Sequence, residues 1–450
     1  MLGRVAATLA CLATALAAGC AGDETPVTIG VLPECRGYSA GANQPLLGAA
    51  ELPLLERGAR KAGDDPSDGL LDARVAGREI ELVFGCEPAE QHPYDSVYSL
   101  LEVRRLVERE HAEIVVVSSG EPWTLELAAY AARHPEVTFV TGWGYTQSAT
   151  LRDDAPNLVS FYPNALQQVA AAGAYAYRRL GWRRAVIVHD DHAWGWTEAA
   201  GFSAPFCALG GTIVDRVWVP QTGAFDPKTV AARVRDLDVD GVFLGNGDVR
   251  VVTALADGVP LLRGNMSDEL IGTWWSLGDN SIHLALGKRL EGVFTTMAGS
   301  APAGESLPEN ARYWKRYTAT WPGQAAFWAL HGAGVATYTA MSAVVAALER
   351  VGGDLGESAR NFQRALYEIE LDGPNGRLRL DEHGQVIATG WYTKRRVVNK
   401  ERNDVVTLPP VAGIDTTLGG LIGRDSAPPS RNGVPCRKAP APAWASKIGG

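Results

Sequence analysis

His111-Ala112-Glu113-Ile114-Val115-Val116-Val117-Ser118-Ser119-Gly120-Glu121-Pro122-Trp123-Thr124 decides how the chain is read. Residues 114–117 are a short, unbroken apolar run, the pattern of a strand buried on both faces. The run stops at Ser118-Ser119-Gly120, and from about 122 to 133 the apolar residues recur at helical spacing. In an open α/β sheet, ligands bind in the crevice beyond the carboxyl ends of the strands. Serine hydroxyls and free N–H groups at a helix start suit a polar or anionic group there.

Outward from this stretch the same alternation repeats. Strands are expected at 27–32, 80–84 and 137–140, and helices at 46–62 and 94–110, with Pro53 kinking or delaying the first. The loop 33–41 carries Tyr38, a candidate ligand-binding residue, and 64–72 is a polar, turn-rich insertion. After 153–163 a second series begins, with strands at 185–189, 212–219 and 241–244 among helices at 166–180, 198–209, 227–237 and 249–256. Two such series predict an α/β protein of two Rossmann-like lobes with parallel-dominated sheets and a cleft between them. Residues 325–348 lack Asp, Glu, Lys and Arg, but their alanines, glycines and threonines favour a buried lobe helix over a membrane span. From Pro409 the Pro- and Gly-rich tail is expected to be extended and partly disordered.

The chain has 450 residues, 46% hydrophobic and 21% charged, enough for two or three domains. Its formal charge of −9 and lack of a basic block argue against nucleic acid as a partner. Residues 1–18 combine a basic start with an apolar stretch too short to span a bilayer. Leu16-Ala17-Ala18-Gly19-Cys20 resembles the lipobox of bacterial lipoproteins, which implies a lipid on Cys20. Ordinary cleavage after Ala18 is the alternative, and either one exports the chain.

Export makes disulfides possible. Cys35, Cys86, Cys207 and Cys436 remain after the leader, and four cysteines allow three pairings. Cys35 and Cys86 each follow a predicted strand, and successive strands of a βαβ unit often lie side by side. That favours Cys35–Cys86 and leaves Cys207–Cys436; free buried thiols are the alternative.

No motif supplies catalysis. GxSxG, the P-loop and GxGxxG are all missing, and no cysteine spacing suits zinc. His189-Asp190-Asp191-His192 lacks a metal-ligand spacing and reads as a strand ending in a polar loop, so neither a metal nor a cofactor is expected. Aromatic residues at predicted strand ends stand out instead: Trp143 and Tyr145, then Trp194 and Trp196. A broad face with one polar tip suits a pocket wall. Trp274 and Trp275 read more readily as packing.

Several short motifs, taken in order, carry a resemblance. Val27-Thr28-Ile29-Gly30-Val31 looks like a first strand, and Gly77-Arg78-Glu79-Ile80-Glu81-Leu82 like a second. Pro156-Asn157-Leu158, Val188-His189-Asp190 with Ala193-Trp194-Gly195, Glu291-Gly292-Val293, Asp372-Gly373-Pro374-Asn375-Gly376 and Leu380-Asp381-Glu382-His383-Gly384 follow at matching intervals. Together they resemble the solute-binding proteins of branched-chain amino acid ABC transporters, with the type I periplasmic binding fold, over residues 27–394. The resemblance implies a leader at 1–19, a linker at 20–26, a first lobe at 27–157 and 292–380, a second at 158–291 and 381–408, and a tail at 409–450. It implies hinges near 157–163, 289–292 and 380, a small-molecule solute, a membrane permease as partner, a monomer and no catalysis. A sensing receptor of the same fold, or less readily an exported enzyme, is the competing reading.

The resemblance also implies where the solute sits. Ser119, Gly120 and Glu121 and the loop with Trp143 and Tyr145 fall on the first lobe. Trp194, Gly247, Asp248 and Asn265 fall on the second, and Asn265 stands where amino-acid binders place an acid for the α-amino group. A neutral Asn265 leaves an ammonium without its counter-charge, which is costly in a closed cleft. Glu121 places negative charge where a carboxylate should dock. The expected solute is therefore flat and aromatic, heterocyclic or an amide, in preference to leucine or valine.

Overall fold

The computed structural model describes residues 25–87, 96–118, 123–143, 147–152, 155–220, 223–278, 280–297, 307–325, 327–330, 332–399, 402–433 and 436–448. The opening stretch folds into strand Ile114–Ser118, buried throughout, followed by helix Thr124–Ala131. Valine and isoleucine fit a strand covered on both faces, and here helices cover both.

In chain order the first sheet contains β1 (Val27–Pro33), β2 (Arg78–Phe84), β3 (Ile114–Ser118), β4 (Thr138–Trp143) and β5 (Leu158–Ser160). These five are parallel in the order β2-β1-β3-β4-β5, and Ile29 registers with Leu82 on one side and Ile114 on the other. The two-residue strand Arg74–Val75 adds an antiparallel edge to β2. The second sheet contains β6 (Arg184–Asp190), β7 (Thr212–Val219), β8 (Gly241–Leu244), β9 (Leu270–Gly272), β10 (Phe294–Thr296), β11 (Tyr392–Val397) and β12 (Asn403–Thr407). Its order is β7-β6-β8-β9-β10-β11-β12, parallel up to β10 and antiparallel beyond. The first five strands of both sheets thus share one doubly wound order. Such a sheet has its switch point between its first and third strands in sequence. This is an α/β fold of two lobes.

The charge-free segment forms helices Phe327–Leu330 and Gly332–Arg350 in the first lobe, packed against β3 and β4. Gly142 permits that packing, since a Cβ there would lie 3.0 Å from the Thr337 Cα. No helix among the described residues is long and apolar enough to cross a membrane. Pro53 sits inside helix Asn43–Leu55, which ends two residues later, well short of residue 62.

Three further elements differ from the sequence reading. Strand β5, Leu158–Ser160, pairs with β4 and so still belongs to the first sheet, past the boundary expected at residue 157. The strand after Glu291-Gly292-Val293 is β10, which pairs with β9 and β11, so the second sheet extends through Thr296. The tail is not loose. Val411–Ile414 pairs with Ala388–Gly390, and Ile414, Leu418, Leu421, Ile422, Trp444 and Ile448 join the apolar core under the second sheet. Its prolines and glycines turn the chain between those anchors.

Both disulfides favoured by the strand order are formed. Cys35 and Cys86 lie side by side at the carboxyl ends of β1 and β2, with Cα atoms 5.3 Å apart. Cys207 and Cys436, Cα atoms 5.2 Å apart, fasten the tail to helix Ala193–Ala208.

Candidate functional site

The switch point of the second sheet lies where β6 and β8 end. β6 delivers His189 and Asp190, and helix Ala193–Ala208 starts three residues later, carrying Trp194 in its first turn. Buried Asn246 and half-buried Gly247 and Asp248 follow β8. Trp274 and Trp275 begin the short helix after β9, capped by the Thr273 side chain. The Trp194 and Trp275 ring centroids are 6.0 Å apart, and those of Trp194 and His192 are 6.2 Å apart. Trp275 is 43% exposed, so its face remains available for stacking. Gly247 passes close beneath it, as a Cβ there would meet the Trp275 carbonyl oxygen at 3.1 Å.

A polar network holds this wall from below. The Asp190 N–H donates to His189 Nδ1 at 2.8 Å, which leaves Nε2 as the donor to Glu198 at 2.6 Å. Both side chains are buried. The ring lies flat over Gly245, where even a Cβ would collide with it. Asn246 donates to the Asp190 carboxylate and accepts from the Asp248 N–H at 3.1 Å. Burial raises the Asp190 carboxyl above its ordinary range. His192 is pushed down to about 3, mainly by burial and then by His189, so its ring stays uncharged at neutral pH. The four residues 189–192 thus serve as a scaffold. Among the described residues, no cluster of three or more His, Cys, Asp or Glu side chains could hold a metal ion.

Trp143 belongs to the first lobe. It lies at a tilt against Tyr162, centroids 5.3 Å apart, and, like Trp328, packs against the cluster of Ala42, Leu46 and Ala333. Ser118 does not face a solute, because its hydroxyl pairs with that of Thr337 on the covering helix. Cys20, Ser119, Gly120, Glu121 and Tyr145 lie outside the described residues. Tyr38 lies in the 3-10 turn Gly37–Ala42 just past β1, and only its backbone is described.

The structure separates the remaining second-lobe candidates. Asn265 precedes β9 and sits at the amino end of the sheet, opposite to Trp194. Its amide donates to the Glu291 carbonyl at 2.8 Å and its oxygen accepts from Ser267 N–H, so it shapes a turn. Asp248 caps helix Val249–Gly258 and binds Arg250, whose hydrogen bonds hold its carboxyl below the usual range. Neither offers a counter-charge to an ammonium group in the cleft. Trp275, read from the sequence as packing, belongs to the wall. Its position just past the end of β9 is the same signal that marks Trp194 past the end of β6.

Two sheets of one doubly wound order, the second with Trp194 and Trp275 just past its strand ends, make a two-lobed α/β fold of the kind whose ligands bind beyond the carboxyl ends of the strands. The periplasmic binding protein family model matches residues 26–398, most of the chain, and the chain belongs to that family. No curated protein matches the sequence. Solved structures do match. An ABC transporter substrate-binding protein from Sphaerobacter thermophilus is 22% identical, with a TM-score of 0.67, over 87% of this chain and 99% of that one. A solute-binding protein of an ABC transporter from Rhodopseudomonas palustris, in complex with 3,4-dihydroxybenzoic acid, is 20% identical with a TM-score of 0.66, over 87% and 98%. The leucine-, isoleucine-, valine-, threonine- and alanine-binding protein from Brucella ovis, in a closed conformation, is 15% identical with a TM-score of 0.67, over 87% and 97%. At these identities the likeness establishes the fold.

Proposed function

We propose that this chain is an extracytoplasmic solute-binding protein that captures a flat aromatic or heterocyclic molecule between its lobes and delivers it to an ABC permease without catalysis. The aromatic wall of Trp194 and Trp275 over Gly247 carries this reading. The exposed indole of Trp275, with Trp194 beside it, offers a planar solute a surface to stack on, and stacking adds about 0.5–1.5 kcal/mol per ring pair beyond area burial. The engagement of Asp248 by Arg250 leaves that carboxylate already paired and argues against an α-amino group there. The Rhodopseudomonas palustris neighbour with a bound dihydroxybenzoic acid supports an aromatic solute, and the two transporter-linked neighbours support delivery. Cys20 is proposed as the lipid-bearing residue that tethers the chain to the membrane surface, and the protein as a monomer.

A thermal-shift screen of benzoates, aromatic amides, nucleobases and amino acids tests the reading. A probe present at about 100 times its Kd adds about 2.7 kcal/mol of stability. Stabilisation by planar aromatic probes alone is expected; stabilisation by aliphatic amino acids alone contradicts it.

A further inference from the structure

The family match ends at residue 398, yet the chain continues and returns across both lobes. One end of this returning segment grips the first lobe. The Gln147 side chain, in the helix between β4 and β5, donates to the Thr416 carbonyl at 2.6 Å. Arg152, just past that helix, donates to the Arg424 carbonyl at 2.7 Å and to the Ser426 carbonyl. Thr416 also reaches the crossing segments between the lobes. It accepts from Asn164 at 3.2 Å and donates its N–H to Asp381 at 3.3 Å.

The other end grips the second lobe at the candidate site. Arg431 pairs with Asp191 at 3.1 Å, and Asp191 also receives the Trp196 indole N–H at 3.1 Å. The Trp218 indole N–H holds the Arg431 carbonyl at 3.1 Å. Five residues on, the Cys207–Cys436 disulfide makes the attachment covalent, and Trp444 and Ile448 bury themselves in the second-lobe core. The tail therefore touches the helix that follows β4 in one lobe and, at Asp191, the loop that leads into the Trp194 helix in the other.

We propose that residues 415–433 and 436–448 act as a strap, locked to the second lobe by Cys207–Cys436, whose grip on Gln147 and Arg152 limits how far the two lobes open. The inference rests on the reading of the cleft as a solute site. Opening rotates the first lobe away from the second, and the strap's second-lobe end cannot follow it. The bonds at Gln147 and Arg152 must then break or hold the lobes. A ligand-free protein with an intact strap is thus held near its closed form, which favours capture and slows release.

The test uses the full chain without any solute, with spin labels on p-azidophenylalanine at Glu126 of the first lobe and Arg235 of the second, both exposed. The distance distribution between them reads the degree of opening by electron spin resonance. The unaltered strap is expected to give one narrow distribution. Arg152→Ala is expected to raise the open-to-closed ratio about fivefold, the effect of losing about one net hydrogen bond. Cys207→Ser with Cys436→Ser is expected to broaden the distribution further, and Arg152→Lys to retain most of the wild-type form. Arg152 is a half-buried side chain on a short helix end, so its variants stay folded even if the cysteine pair proves indispensable. Identical distributions in wild type and Arg152→Ala overturn the strap. Because no solute is present, this result is independent of whether any aromatic probe binds.

Discussion

Two buried glutamates, one in each lobe, meet opposite fates. Glu198 lies under the second-lobe wall and shares a 2.6 Å hydrogen bond with His189. Glu51 lies in helix Asn43–Leu55 of the first lobe with no exposed surface, and neither of its oxygens has a hydrogen-bond partner among the described residues. Burial, with help from Asp68, raises its carboxyl to about 9, so it is neutral at pH 7. One lobe places a hydrogen-bonded polar network directly beneath Trp194 and Trp275. The other tolerates an uncharged acid far from the chemistry. The contrast separates polar groups that position the site from those that only weaken the core.

Breaking the paired glutamate gives the largest effect. His189→Ala strands Glu198 without its partner and is expected to cost about 3–5 kcal/mol in urea unfolding. His189→Ala with Glu198→Ala should cost less than the two single changes added together, because the orphaned group is gone.

Removing the unpaired glutamate acts in the opposite direction. Glu51→Met is expected to stabilise the fold at pH 7 by on the order of 1–3 kcal/mol. The sign also appears in the pH dependence. The folded protein keeps this proton up to about pH 9, while the unfolded chain releases it near 4.5. Wild-type stability therefore falls as pH rises from 4.5 to 9, and Glu51→Met should flatten that slope. Equal slopes in the two proteins would remove Glu51 from the account.

At the ligand wall, Trp194→Ala is expected to raise the Kd of a bound aromatic probe about tenfold while leaving the unfolding midpoint nearly unchanged. The smallest effect concerns His192. Burial keeps it uncharged down to about pH 3, so it takes up no proton between pH 7 and pH 5. Replacing it with asparagine should change the pH dependence of affinity over that range by less than about twofold.

The lobes were legible because buried parallel strands such as Ile114–Ser118 announce themselves as uninterrupted apolar runs. The place of Trp194 just past a strand end was legible for a related reason, since periodicity can locate that end. Other features depend on contacts far along the chain. The three residues of β10 join the second sheet because Leu270–Gly272 and Tyr392–Val397 flank them, which no local pattern records. Asn265 misled because alignment of motifs cannot tell the two ends of a three-residue strand apart. Its hydrogen bond to Glu291 can. The tail reads as loose from its prolines and glycines, yet Ile414, Leu418, Leu421, Ile422 and Trp444 give it apolar anchors and Cys436 a covalent one. Average composition conceals such scattered anchors.

Calorimetric titration of the unaltered protein with 4-hydroxybenzoate, benzamide, adenine and leucine tests the central claim most directly. At least one planar aromatic probe is predicted to bind in competition with the others, with tryptophan fluorescence changing as Trp194 and Trp275 are covered, and leucine is predicted to give no heat beyond dilution. Tight binding of leucine, with the aromatic probes silent, would contradict the account.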